Sequence, residues 1–481
     1  MSGLLPALIK IDRTSDQTLV GQITEQLRAL IARGRLPGRT PLPSSRALAS
    51  ALRVSRNTVS FAIEQLAAEG YVTLVGGRRP VISPELERTP HPGPDTRSTN
   101  TPFPKFAAWV LRRRSAQWPP PVDEPSRPLR PGIADVREFP LDAWARCLRR
   151  AARRQGDRRD GSPNRRALQI ALCDHLVAQR GINAEADQIV LLPTAQAGLA
   201  LIAAFLVEPG DTAWMESPGY GGARAAFETA GARVVGIPLD AQGLAPPPGA
   251  PSPTLIYTTP SHQYPTGRLM TVARRLELLR LAEAKNAWIV EDDYDGEFHY
   301  DDRPVPSLQG LDSSGRVFYV GTFSKATFAD LRMGYVVVPR KLADTFLIAQ
   351  RHFGCLASVQ LQHGLADFIS DGLLLAHIRR TRRLIRARRD HLVRALEGHV
   401  GDTFDVETPA GGMQLVAWCR KRADDRALAD GLAKAHVMAR PVSSMFVRTP
   451  VRRGLFLGFA AWREDEIDRA VKVLRRVVLA G

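Results

Sequence analysis

The sequence predicts an α/β protein: a mostly parallel sheet with interleaved helices over residues 131–481, headed by a small helical module over 1–83 and joined to it by a linker over 84–130. Three observations predict it. From residue 131 onward, strand-like runs (QIVLLP, TAWMES, ARVVGIPL, TLIYTTP, AWIVEDD, VFYVGTFS, MGYVVVP) alternate with helical ones, as successive β-helix-β units do. Before residue 84, three runs carry apolar residues at helical spacing, each opened or closed by a cap or turn signal. Between them lies a stretch rich in Pro, Thr, Ser and Arg (PELERTPHPGPDTRSTNTP, then WPPPVDEPSRPLRPG), which buries little and reads as a linker. Inside it WVLRRR, at 109–114, predicts a short helix.

Composition narrows the classes. A hydrophobic fraction of 44% over 481 residues is ordinary for a globular chain. No apolar run is long enough to cross a membrane, and the N-terminus lacks the pattern of a signal peptide. Cys147, Cys173, Cys355 and Cys419 stand apart without a CxxC pair, which argues against a zinc site or a disulfide framework and suits the reducing cytoplasm. The net charge is +17, concentrated early: residues 1–90 hold 12 basic and 7 acidic side chains, residues 91–166 hold 17 and 8. Such a surface attracts polyanions, nucleic acid first among them. Arginine far outnumbers lysine, so an arginine-rich composition inherited from a GC-rich genome also accounts for the charge. The run RRAARRQGDRRDG, at 149–161, reads best as a solvated face, with an active-site loop and a second DNA contact as its other readings.

In the N-terminal module, Leu19, Ile23, Leu27, Leu30 and Ile31 mark the first helix. Pro43-Ser44-Ser45 starts the second, SRALASALRV. Ser55 caps the third, RNTVSFAIEQLAAEG, and Gly70 ends it. A turn of about three residues between the last two is helix-turn-helix spacing. YVTLVGGRRPVIS then gives two β runs around Gly76-Gly77, a wing with Arg78 and Arg79 at its tip. The start of the third helix would present Ser55, Arg56, Asn57 and Thr58 to a DNA groove, where Arg matches guanine and Asn matches adenine. Arg46, opening the second helix, suits a phosphate. PLPSSRALASALRVSRNTVSFAIEQLAAEGYV resembles the GntR family of bacterial regulators, with one departure: the wing reads GGRRPVI instead of a Gly-x-Gly turn. A helical domain that binds protein is the competing reading.

In the large domain, GTFSKATFADLRMGYVVVP (321–339) places Lys325 beside hydroxyl residues and ahead of Arg332, as a Schiff-base lysine next to a phosphate cup requires. AWIVEDDYDGEF puts Asp292, Asp293 and Asp295 at the carboxyl end of a strand, where α/β proteins bind ligands. Taken alone, those acids suit a protonated pyridine nitrogen and a magnesium ion equally. MESPGYGG sets Tyr220 on a loop where a ring can stack. LLPTAQAGLALIAAFL offers the Ala195 and Gln196 backbone amides at a helix start.

Together these pieces look like a fold-type I aminotransferase, and with the N-terminal head the whole chain resembles the MocR/GabR subfamily of GntR regulators. The resemblance implies pyridoxal 5′-phosphate as cofactor, with Lys325 as its Schiff-base partner and Asp292 on the pyridine nitrogen. Tyr294 would bond the ring hydroxyl and Tyr220 would stack on the ring. Thr322, Ser324, Arg332, Ala195 and Gln196 would hold the phosphate. It implies a regulator that binds double-stranded operator DNA and senses an amine, an amino acid or pyridoxal phosphate itself, as a head-to-tail homodimer. A PLP-dependent aminotransferase with a DNA-binding appendage is the alternative, and a domain reduced to a dimerisation scaffold a third reading. Three positions depart from aminotransferases. Pro193-Thr194-Ala195-Gln196 replaces Ser-Gly-Ala-Gln, Tyr264 replaces an Asn before Pro-Thr-Gly, and LFLGFA puts Phe456 where an arginine would clamp a substrate carboxylate. Arg448, Arg452 and Arg453 are nearby substitutes by sequence, though surface roles suit them better.

Overall fold

Each helix of the N-terminal module begins at a side chain that satisfies an otherwise unpaired backbone N–H. In the computed structural model, which describes residues 5–75, 79–86, 126–155, 166–300, 305–421 and 423–480, Thr18 caps α1 (Leu19–Ala32) and Ser44 caps α2 (Ser45–Leu52). Ser55 caps α3 (Arg56–Ala68), its Oγ accepting from Thr58 N at 3.0 Å. Arg53, in the left-handed conformation at φ 54°, closes α2 and turns the chain into α3. Ile23, Leu27, Leu30 and Ile31 of α1 pack with Leu48 of α2 and Val59, Ile63 and Leu66 of α3, so the helical spacing in the sequence is the core-facing stripe. β1 (Val72–Thr73) and β2 (Val81–Ile82) pair antiparallel as the wing.

The chain divides into two compact units, Met1–Pro104 and Lys105–Gly481. The division falls within the Pro-rich stretch. The short helix expected at 109–114 lies outside the described residues.

The large unit is built on a seven-stranded sheet of β3 (Ile189–Leu192), β4 (Thr212–Glu216), β5 (Arg233–Ile237), β8 (Leu255–Thr258), β9 (Trp288–Asp293), β10 (Val317–Thr322) and β11 (Gly334–Val337). A small hairpin of β6 (Leu239–Asp240) and β7 (Gly243–Leu244) stands apart from it. The strand order is β3-β11-β10-β9-β8-β4-β5. All neighbours are parallel except β11, which runs against both β10 and β3. Most of these strands are buried throughout, which is why they read as near-continuous apolar runs rather than alternating ones. The helices Ala195–Leu206 and Gly221–Thr229 pack on one face through Leu199, Ile202, Ala223 and Phe227.

A second, antiparallel sheet follows: β12 (Phe404–Val406), β13 (Gln414–Cys419), β14 (Arg440–Pro441) and β15 (Gly454–Gly458), in the order β12-β13-β15-β14. It packs on the long helix Leu373–Val400 and the last helix Glu464–Ala480. The sequence reading does not separate this sheet from the main one, because its strands are short and the helix Asp425–Lys434 interrupts them. The arginine run at 149–161 starts inside the helix Leu141–Gln155, where Arg150 Nε and Arg154 Nη1 bind Asp367 at 3.0 and 2.8 Å. Its remainder, from 156 on, lies outside the described residues.

Candidate functional site

The sheet order brings three loop ends together. β11 lies between β3 and β10, with Gly334 opposite both Leu192 and Thr322. The turn after β3, the end of β10 and the turn before β11 therefore converge. Gly334 has no room for a side chain: a Cβ there would stand 2.5 Å from Ala195 N. Ala195 and Gln196 open the helix Ala195–Leu206. Thr194 is its N-cap, with Oγ1 accepting from Ala197 N at 3.0 Å. The threonine that departs from the aminotransferase turn thus satisfies the third helical N–H. The first two, on Ala195 and Gln196, have no intrahelical acceptor and suit an anion. Thr322 Oγ1 accepts from Ser324 N at 3.1 Å, and Arg332 holds a left-handed backbone at φ 50° with an exposed side chain. Thr322, Ser324, Arg332, Ala195 and Gln196 thus border one corner of the sheet.

The acids of WIVEDDYD separate by strand alternation. Asp292 faces the same side as Tyr257 on β8, whose hydroxyl donates to Asp292 Oδ2 at 2.7 Å. Asp292 Oδ1 is buried with no hydrogen-bond partner. Burial pushes this carboxyl up to about 7, opposed by the Tyr257 hydrogen bond and reinforced by Asp293 and Asp295. Asp293 points the other way. It accepts from Arg180 Nε at 2.7 Å and Tyr319 OH at 2.5 Å. Burial alone would raise it, but Arg180, the Tyr319 hydroxyl and His299 together outweigh burial and hold it down to about 2. Asp295 Oδ1 lies 2.8 Å from His262 Nδ1. The three acids therefore serve three separate partners, and among the described residues no cluster of His, Cys, Asp and Glu could hold a metal ion.

Lys325 Nζ donates to the carbonyl of Gly132. Burial lowers its amine to about 8, while Asp295 and Asp292 pull it up and Arg440 pushes it down. Four aromatic rings pack on one another around Tyr264. The Tyr264 ring lies edge-on to Tyr220 at 5.3 Å, to Tyr294 at 5.9 Å and to Phe456 at 5.1 Å. Gln414, on β13, donates to Tyr294 Oη at 3.3 Å and Asp295 Oδ2 at 3.2 Å. The sequence reading names neither Tyr257 nor Gln414, and no local motif marks them: each reaches the site from a neighbouring strand or sheet. Arg440 is a third such residue. Of the nearby arginines considered from sequence, Arg452 pairs with Asp405 at 3.0 Å and covers the Trp418 ring, Arg453 stands 3.6 Å from Asp424, and Arg448 is exposed.

Pyridoxal phosphate fits these residues. A buried carboxylate oxygen without a partner, Asp292 Oδ1, is what a pyridinium N–H needs. A half-buried lysine with a lowered affinity for protons suits Schiff-base formation.

On the N-terminal unit, Ser55, Arg56 and Asn57 are exposed at the start of α3, and Thr58 is half-buried. The Ser55 and Thr58 hydroxyls lie 2.7 Å apart and steady each other. Arg46 and Arg79 are exposed, and Arg78 lies outside the described residues.

Residues 19–82 match the model for bacterial regulatory proteins of the gntR family, and residues 132–474 match that for aminotransferase class I and II. The chain is 37% identical to the probable rhizopine catabolism regulatory protein MocR of Rhizobium meliloti, over 98% of this chain and 96% of that protein. It is 32% identical to the HTH-type pyridoxine biosynthesis transcriptional regulator PdxR of Corynebacterium glutamicum, over 96% of each. Among solved structures, the multiple substrate aminotransferase from Thermococcus profundus shares the fold, with a TM-score of 0.69 at 24% identity over 79% of this chain and 97% of that one. With both modules matched and the likeness running from end to end, this chain belongs to the GntR family of bacterial transcription regulators, in the MocR/GabR-type branch that carries an aminotransferase-like domain.

Proposed function

We propose that the large domain holds pyridoxal phosphate as a sensor and that its occupancy by an amine, an amino acid or the cofactor itself sets the affinity of the N-terminal head for operator DNA. The single observation that carries this is the buried, unpartnered Asp292 Oδ1 beside an amine-bearing Lys325, within a chain whose other unit is a winged helix-turn-helix. When bound, the cofactor supplies an electron-withdrawing ring and a carbon that bonds reversibly to amines.

This chain's residues do the rest. Asp292, braced by Tyr257, keeps a proton on the ring nitrogen. The Ala195 and Gln196 amides, Thr322, Ser324 and Arg332 hold the phosphate at the helix start. Tyr294 would bond the ring hydroxyl and Tyr220 would stack on the ring. Lys325 would hold the cofactor through its amine, the attachment for which an effector amine would compete. On the DNA side, Arg56 and Asn57 read base edges, Arg46 and the wing arginines Arg78 and Arg79 meet phosphates, and Ser55 and Thr58 shape the helix start that presents them. The segment 84–130 links the two, and the protein works in the cytoplasm as a head-to-tail homodimer on paired half-sites. Phe456, in place of a carboxylate-clamping arginine, sets this pocket apart from that of an ordinary aminotransferase.

The test is operator binding by the full chain with and without pyridoxal phosphate, wild type against Lys325→Ala. A cofactor response in the wild type alone supports the reading. Binding indifferent to both the cofactor and the substitution overturns it.

A further inference from the structure

The wall of the pocket is apolar where an aminotransferase carries its arginine. Phe456 is 1% exposed on β15 and packs against Tyr264 with Val416, Trp418, Val442 and Phe446 around it. A carboxylate brought against that wall unpaired would be heavily penalised. The adjacent edge strand supplies what the wall lacks. β14 pairs antiparallel with β15, and Arg440 stands directly opposite Phe456. Residues directly opposite on paired strands share a face of the sheet, with Cβ atoms about 5 Å apart. The face that Phe456 turns toward Tyr264, and through it toward Tyr220 and Tyr294, is therefore also the face of Arg440. A guanidinium is longer than the offset between the two strands, so it reaches the same volume from one strand over.

We propose that Arg440 takes over the carboxylate-binding role from position 456, so that the effector is a primary amine carrying a carboxylate, with Phe456 and Tyr264 packing on its apolar body. This rests on the reading that the pocket senses amines, and deepens it by naming the class. The half-buried position of Arg440 strengthens a guanidinium–carboxylate pair relative to one in open water. Electrostatics agrees with the geometry. Burial raises the Tyr264 and Tyr220 hydroxyls and the charge of Arg440 works against it, while the same charge adds to burial in lowering Lys325. One cation thus acts on three groups that border the cofactor position.

The experiment uses the full-length holo-protein and follows displacement of Lys325 by cofactor absorbance. L-phenylalanine is titrated against 2-phenylethylamine, and β-alanine against ethylamine, so that each pair differs by one carboxylate. The wild type is expected to bind the acid of at least one pair more tightly than its amine. Arg440→Gln is expected to weaken the acid by about 10- to 100-fold and to shift the amine far less, by no more than the loss of Arg440's charge on Lys325 accounts for. Arg440→Lys retains part of the preference, because the charge remains and the planar fork is lost. The exchanged variant Arg440→Phe/Phe456→Arg is expected to recover the preference that Arg440→Phe alone loses. The cofactor absorbance of each variant, together with retained amine binding, shows that it is folded and loaded. An Arg440→Gln protein that keeps the acid preference, or weakens acid and amine alike, overturns the assignment of Arg440 while leaving amine sensing intact. A wild type that responds to neither member of any pair overturns amine sensing, and this inference with it.

Discussion

Asp292 offers a test in which stability and cofactor affinity move in opposite directions. Its carboxyl rises from an ordinary 3.8 to about 7 because burial disfavours the charge. Between these values the unfolded chain is ionised while the folded chain keeps its proton, so the folded state binds more protons and stability falls as pH rises through that window. At about 1.36 kcal/mol per unit, the penalty above pH 7 is on the order of 4 kcal/mol in the cofactor-free protein. Asp292→Asn keeps the shape and the acceptor for Tyr257 but cannot ionise. The cofactor-free variant should therefore match the wild type near pH 4 and exceed its stability by a few kcal/mol at pH 7.5, while its affinity for pyridoxal phosphate falls about 10- to 100-fold through loss of the pyridinium's partner. Chemical denaturation of cofactor-free protein across pH, paired with cofactor titration, reads both. A variant that is no more stable at pH 7.5, or that binds the cofactor as tightly as wild type, would refute the assignment of the free oxygen to the ring nitrogen.

The remaining predictions follow from other parts of the two units. Capture of pyridoxal phosphate by the cofactor-free protein should speed up about tenfold per pH unit below 8 and level off above it, because the neutral Lys325 amine is the nucleophile and its proton leaves at about 8; stopped-flow absorbance showing no plateau before pH 10 would contradict this. Arg56→Ala should leave stability within about 0.5 kcal/mol, the side chain being exposed, and yet lower operator affinity with altered sequence preference. Ser55→Ala should cost about 1 kcal/mol of stability through the lost cap. Equal effects of the two on stability, measured by denaturation, would contradict the division between reader and cap. Arg180→Met should cost about 3–5 kcal/mol by leaving Asp293 buried and unpaired, with partial rescue by Asp293→Asn; a loss below 1 kcal/mol would show that the pair is not what holds Asp293.

What was legible in the sequence was local. Caps at Ser44 and Ser55 act on backbone groups three residues away, so the pattern of residue types along the chain carries them. The strand of VFYVGTFSK and the turn to Arg332 likewise belong to one continuous stretch, as do the acids of EDDYD. The division of labour among those acids was not legible, since it depends on which face each occupies and on Tyr257, Arg180 and His262 arriving from elsewhere. From sequence alone, Asp292 was matched to the ring nitrogen by resemblance; only the three-dimensional pairings give it a free oxygen. Arg440 was illegible for the same reason. In MARPVSSMF nothing marks it, and its relation to Phe456 exists only once β14 and β15 are in register. LFLGFA shows the missing arginine only as a letter, and its meaning depends on the neighbouring strand.

The hydrogen bond from Lys325 to the Gly132 carbonyl joins residues 193 positions apart in the chain. Leu129, three residues before Gly132, is fully buried in the large unit and holds a left-handed backbone at φ 65°. Lys325 is thus tied to the segment around Gly132. On the function proposed above, a change in what Lys325 holds would act first on that segment, without crossing the sheet.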